Sequence, residues 1–189
     1  MADVQIRVLW TANIVLPAAA EALGQAPTPF GGWLSLMTAR LTALPGFRIG
    51  IAMRSPGVTA FRHVRVGDID YYALPPRRRD AYDVSQADCD RVLRDFAPDI
   101  LHVAGAEMRH ARRFLESWDG PKLLSLQGVI TGMVNYELGR LPILSMLSPA
   151  NPRVALVALA LLAKRQFRFM PRLEHERATM RLANYVMGV

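Results

Sequence analysis

Glu107 is the residue of this sequence best placed to do chemistry. It follows the apolar run Ile100-Leu101-His102-Val103 and the small-residue turn Ala104-Gly105-Ala106. Met108, Ala111, Phe114, Leu115 and Trp118 then recur at helical spacing, which predicts a helix from Glu107 to Trp118. A carboxylate in a first helical turn is favoured by the helix dipole. Beyond the carboxyl end of a strand it can contact a ligand hydroxyl or act as a base; it can equally be a plain first-turn residue. A second candidate is Gly31-Gly32, where a helix pattern opens after Thr28-Pro29-Phe30. Two glycines there let an anion approach bare backbone N–H groups, or else serve a tight turn that needs positive φ. Gln127-Gly128 ends the apolar run Lys122 to Leu126, and Gln127 could hydrogen-bond a polyol.

Other polar residues offer less. His102 lies inside an apolar strand, as a core histidine or a catalytic one. His63, His102, His110 and His175 have no metal-ligand spacing, so no metal site is expected. Asp68 and Asp70 beside Gly67 read as solvated. Arg77, Arg78 and Arg79 form either a solvated loop or an anion site. The sequence contains no phosphate-binding Walker loop, serine nucleophile elbow or His-Glu-x-x-His motif. Basic residues without interleaved aromatics or a nucleic-acid module argue against a nucleic-acid partner.

The elements that position these residues alternate. Ile6 to Trp10 reads as a buried strand and residues 11–30 as a loop. A helix follows with Trp33, Met37, Leu41 and Leu44 inward. Phe47 to Met53 is a second strand. Phe61–Val66 and Ile69–Leu74 form a pair around the Gly67-Asp68 turn, and Pro75 to Asp80 is a loop. Ser85 caps a helix from Gln86 to Phe96, whose apolar face is Cys89, Val92, Leu93 and Phe96. Strands alternating with helices predict an α/β fold: a Rossmann-like parallel sheet with helices on both faces, its ligands at the strands' carboxyl ends.

From 129 to 172 the rhythm breaks into a helical, basic and apolar excursion punctuated by Gly132, Gly139, Pro142, Pro149 and Pro152. Val154 to Ala163 is almost wholly aliphatic. Arg153, Lys164, Arg165, Arg168 and Arg172 flank it, with no acidic residue between 153 and 172. Either this helix lies on an anionic membrane, or it is buried against the domain or a missing partner. A polar helix from Leu173 to Asn184 and a strand beginning at Tyr185 close the chain, which suggests a truncated chain or a large missing partner domain.

Composition sets the outer bounds. With 189 residues, 51% of them hydrophobic, the chain holds one good core. The formal net charge of +7 suits a phosphorylated ligand, an anionic membrane or nucleic acid without choosing among them. The single cysteine, Cys89, fits a reducing compartment. The first residues lack a signal-peptide pattern and no apolar run reaches about 18 residues. A cytoplasmic protein is the expectation, peripheral at the membrane if the basic and apolar helix lies on one.

The order of these pieces resembles the N-terminal domain of a GT-B glycosyltransferase of the large retaining family-four group. Phe30-Gly31-Gly32-Trp33 resembles that family's glycine-rich loop, and Ile69 to Pro75 its strand and exit loop. Pro98-Asp99-Ile100-Leu101-His102-Val103-Ala104-Gly105-Ala106-Glu107 resembles its Pro-Asp-hydrophobic-His-hydrophobic-x-Gly-x-Glu segment. Leu124 to Gly128 resembles the following strand, and Tyr185-Val186-Met187-Gly188 the last elements before an interdomain cleft. The resemblance covers nearly all of the chain. It implies that residues 1–189 form the acceptor-side domain, and that a C-terminal donor-binding domain is absent from the sequence. Gly31 and Gly32 would then approach the donor's diphosphate, and Glu107 would contact acceptor or sugar; Gln127 and Gly128, on the same rim, are candidates to bind the acceptor, a glycan, lipid or small polyol. The co-substrate would be a nucleotide-sugar, with no other cofactor and no metal. Many relatives carry a histidine where this chain has Ala104, so a histidine-assisted mechanism does not transfer and Glu107 is the better polar candidate. Two alternatives belong to other classes: a non-catalytic Rossmann-like binding module, and a membrane-recruitment subunit of a split glycosyltransferase using Arg153, Lys164, Arg165 and Arg168.

Overall fold

Alternation along the first strand builds the core. In β1 (Ile6–Ala12), successive side chains point to opposite faces of the sheet. Val8 and Trp10 pack on one face with Ile49, Ile51, Met53, Leu16 and Leu34; Leu9 packs on the other with Leu101, Val103, Leu124, Phe96 and Phe114. Both faces of a central strand are therefore apolar, and helices must cover both. The computed structural model describes residues 5–78, 80–136, 147 and 152–188. Arg79, Gly139, Pro142 and Pro149 of the sequence reading lie outside the described residues.

After β1 come α1 (Pro17–Ala22), α2 (Gly32–Thr42), β2 (Phe47–Arg54), β3 (Arg62–Val66), β4 (Ile69–Leu74), β5 (Pro76–Arg77), β6 (Asp80–Val84) and α3 (Gln86–Phe96). The second half contains β7 (Ile100–Ala104), α4 (Arg109–Ser117), β8 (Lys122–Leu126), α5 (Ile130–Tyr136), α6 (Pro152–Lys164), a π-helical turn (Arg165–Phe169), α7 (Met170–Leu182) and β9 (Tyr185–Gly188). The main sheet runs β3-β4-β2-β1-β7-β8-β9. Its strands are parallel except β3, which pairs antiparallel with β4 through the two-residue turn at Gly67-Asp68. Trp10 stands in register between Ile51 and His102. The fold is α/β and Rossmann-like, as the alternation of elements predicts.

Four local expectations need correction. Residues 11–30 are not all loop: β1 runs on to Ala12, and α1 starts at Pro17, because Pro at a helix's first position and three alanines after it favour helix. The inward face of α2 is Leu34, Met37, Thr38 and Leu41, whereas Trp33 and Leu44 are exposed; the stripe is shifted by one residue at its start. Pro75 to Asp80 is not a simple loop, since Pro76–Arg77 pairs with the β6 strand. Asp70 is buried rather than solvated. β4 lies between β2 and β3, and Arg48 and His63 from those strands meet the Asp70 carboxylate at 2.9 and 3.0 Å.

α3 forms where Ser85 predicts it, the Ser85 hydroxyl accepting the Asp88 N–H at 3.1 Å. Ala97, in the left-handed region at φ 47°, ends it before Pro98. From Pro152 to Leu182 the chain is one helical run rather than two helices. Pro171 explains the π turn within it: the proline has no N–H for the carbonyl of Phe167 and its ring crowds that carbonyl, so the helix widens there. β9 docks on the sheet edge, where Lys122 N–H donates to Asn184 Oδ1 at 2.9 Å and Asn184 N–H to the Lys122 carbonyl at 3.0 Å.

Candidate functional site

The strand order reverses between β1 and β7. The chain leaves β1 toward β2 on one side and leaves β7 toward β8 on the other, so the two exit loops diverge and open a crevice at the carboxyl rim. Asn13 is the first residue beyond β1, and Glu107 lies three residues beyond β7. Asn13 Nδ2 donates to Glu107 Oε1 at 3.3 Å. Arg172 Nη2, from the first turn of α7, donates to the same oxygen at 3.3 Å.

Gly105 permits this arrangement. Its φ of +90° lies in the left-handed region. A Cβ there would stand 3.0 Å from both Asn13 Nδ2 and Glu107 Oε2. Gly105 N–H donates to the Ser125 carbonyl at 2.9 Å, fixing the turn to β8. Glu107 is therefore not the first-turn residue that the spacing predicts. α4 begins at Arg109, and the Ala106–Met108 bend instead turns Glu107 back across the crevice.

His102 is a core histidine. It shares a 2.6 Å hydrogen bond with Ser125 Oγ and lies edge-on to Trp10 at 4.5 Å between ring centroids. Burial lowers its pKa from 6.5 to about 4, so the ring is neutral near pH 7.

Gly31 lies against Ile14, the residue after Asn13. Gly31 is the N-cap of α2 at φ 88°, and a Cβ on it would overlap Ile14 Cδ1 at 2.2 Å. Gly32 has no neighbouring atom within 4 Å of where a Cβ would stand. No side chain caps α2 and its first turn has no acidic residue; Phe30 and Trp33 beside it are exposed. Gln127 and Gly128 are exposed at the end of β8, on the same rim but one strand further out. Arg77 is drawn instead to the buried Asp83, with Nη1 at 3.6 Å.

Three contributors to the rim were not singled out by the sequence reading. Asn13 carries a weak signal, a polar residue directly after the first apolar strand. Arg172 reads in the sequence as part of the basic flank of the aliphatic helix, yet it points to Glu107. Glu176 lies one turn later on α7 and is fully buried. Its Oε2 accepts the Ile130 N–H at 2.5 Å, and its Oε1 accepts the Thr131 N–H at 3.2 Å and hydroxyl at 2.9 Å. Glu176 thus caps α5 and fastens the loop that holds Gln127 and Gly128. An Arg and a Glu four residues apart in a basic stretch were the available signal.

Among the described residues no group of three or more His, Cys, Asp and Glu could hold a metal ion, and no helix is long and apolar enough to cross a membrane. No protein-family model matches the chain, and no curated protein matches its sequence. Among solved structures it is similar to an α,α-trehalose-phosphate synthase (UDP-forming) from Burkholderia vietnamiensis, at 15% identity and a TM-score of 0.33. The match covers 93% of this chain and 42% of that one.

Proposed function

We propose that this chain is the acceptor-side half of a two-lobed GT-B glycosyltransferase, which moves a sugar from a nucleotide-sugar to a hydroxyl on a glycan, lipid or small polyol. The observation that carries the reading is the Asn13–Glu107–Arg172 cluster in the crevice where the strand order reverses. A carboxylate offers about four acceptor positions, and Asn13 and Arg172 both use one oxygen. The other oxygen, beside Gly105, can accept from an acceptor hydroxyl, while the two donors hold the side chain in place.

The uncapped N-terminus of α2 supplies the second half of the argument. N–H groups at Gly32 and Trp33 suit the diphosphate of a donor held by a facing lobe. Transfer would proceed with retention by front-face attack, the departing phosphate taking the acceptor proton. The chain's own contribution would be positioning and stabilisation of negative charge. A half-cleft binds weakly, so the isolated chain would be inactive or nearly so.

Ligand-observed NMR on the isolated chain tests this. Simple glycosides should bind with a dissociation constant of about 1 mM or weaker, and Glu107→Gln should weaken that binding about tenfold. Nucleotide-sugar turnover should be negligible until a donor-binding domain is added. Turnover by the isolated chain at enzyme rates, or tight nucleotide binding without a second lobe, would overturn the proposal; the latter would favour a binding module.

A further inference from the structure

The helical run from Pro152 to Leu182 changes character at the π turn. Its second half, α7, packs on α4 and α5, whereas the main neighbour of α6 among the described elements is the π turn itself. Leu156 is 67% exposed, Val157 53% and Phe167 80%. Residues 153, 156, 157, 160 and 164 follow the i, i+3, i+4, i+7, i+11 spacing of one helix face; Leu159, on a flank of it, is also 53% exposed, and Ala158, away from this face, is buried. Arg153, Arg165 and Arg168 are exposed around this apolar strip. Lys164 lies with its ammonium 5.2 Å from the Phe169 ring. Phe167 and Arg168 stand exposed side by side within the π turn before Pro171.

Contiguous exposed apolar surface marks a site of interaction, and the charge around it selects the partner. Segment 153–172 contains no acidic residue, so the strip faces its surroundings with one sign of charge. An apolar helix face bordered by Lys and Arg, with no acidic residue, suits a helix lying in a lipid interface. With 13 residues, α6 is about 20 Å long, enough to lie in the headgroup layer and shorter than the roughly 30 Å hydrocarbon core. We infer that the exposed face of α6 and the π turn, with Leu156, Val157 and Phe167 bordered by Arg153, Arg165 and Arg168, docks this chain on an anionic phospholipid surface. The inference stands on this face alone and is independent of the proposed transfer reaction.

Flotation of the 189-residue chain with lipid vesicles tests it. The chain should float with vesicles of phosphatidylglycerol and phosphatidylcholine, not with phosphatidylcholine alone, and raising the salt should release it. Replacing Arg153, Arg165 and Arg168 by Gln together should weaken binding roughly a hundredfold, about fivefold per charge. Phe167→Ser should weaken it about tenfold while leaving the salt dependence unchanged. All four residues are exposed, so both variants should melt like the parent. Equal binding to neutral vesicles, or binding that survives either variant, would overturn the inference. So would a chain that ignores vesicles and self-associates through Phe167.

Discussion

Arg172 and Glu176 stand one turn apart on α7 and fasten neighbouring exit loops of the sheet. Arg172 reaches Glu107 after β7, and Glu176 caps α5 after β8. One face of one helix thus sets the geometry of the rim on both strands. The two contacts differ in energy. Glu176 is buried and satisfies three donors, whereas Arg172 and Glu107 are partly exposed, so solvent screens their attraction.

Replacing Glu176 by Ala should therefore destabilise the fold by about 2–3 kcal/mol, because it orphans N–H groups at the start of α5. Urea denaturation reads the loss, and amide exchange should accelerate at Ile130 and Thr131. Arg172→Met should cost no more than about 1 kcal/mol, yet weaken acceptor binding by releasing Glu107. Equal destabilisation by both changes would contradict this division of labour.

His102 makes stability pH-dependent in a defined window. Its pKa is about 4 in the folded protein, against an ordinary 6.5. Between those values the unfolded chain binds a proton that the folded chain does not, so stability rises with pH there. The contribution is fully present above 6.5 and is lost as pH falls toward 4, by up to about 3 kcal/mol. His175, whose pKa burial also lowers, acts in the same direction. His102→Gln should flatten, without abolishing, the slope of unfolding free energy between pH 6.5 and 4. An unchanged slope would mean that His102 protonates as readily folded as unfolded.

Legibility from sequence followed the range of the interactions. The parallel sheet, the β3–β4 turn and the Ser85 cap depend on periodicity and neighbouring residues, and each was readable. Gly31-Gly32 and Glu107 were recognisable as types of residue beside strand ends. Asn13 and Arg172 were not, because their partner lies 94 and 65 residues away and only the strand order brings them together. The burial of Asp70 was hidden for the same reason: beside Gly67 it looks like a turn residue, and only the pairing of β4 between two strands encloses it. The helical setting of Glu107 was misread because the spacing of Ala111, Phe114 and Leu115 shows the inward face of α4 without showing its first residue.

Asp83 and Arg113 form a pair in which breaking one side should be severe. Burial alone would raise the Asp83 pKa, but the paired hydrogen bonds from Arg113, each 2.8 Å, outweigh it and hold it below 3.8. That contribution is present above about pH 4 and is lost as pH falls through the lowered value. Arg113→Met removes both 2.8 Å hydrogen bonds from the buried carboxylate and leaves it Arg77 at 3.6 Å, so it should cost about 3 kcal/mol. Adding Asp83→Asn should recover part of the loss in chemical denaturation, whereas additive losses would mean that the two side chains act independently.

The glycines separate structure from ligand contact. Gly105→Ala places a methyl 3.0 Å from Asn13 Nδ2 and Glu107 Oε2 on a backbone at φ +90°, so it should cost about 1–3 kcal/mol and force the Asn13–Glu107 contact apart. Gly31→Ala meets the same backbone strain at φ +88°, together with the movable end of Ile14. Gly32→Ala meets neither strain nor neighbours, and in a helix it should be neutral or stabilising by about 0.5–1 kcal/mol. If Gly32 is there for a diphosphate, its methyl should nevertheless obstruct the approach to the α2 N–H groups. Titration with UDP should then shift the amide resonances of Gly32 and Trp33 in the parent, and at least tenfold less tightly in Gly32→Ala, while the variant melts no lower. UDP shifts that are unchanged by the methyl would leave Gly31-Gly32 as a turn and remove the anion site from the proposed function.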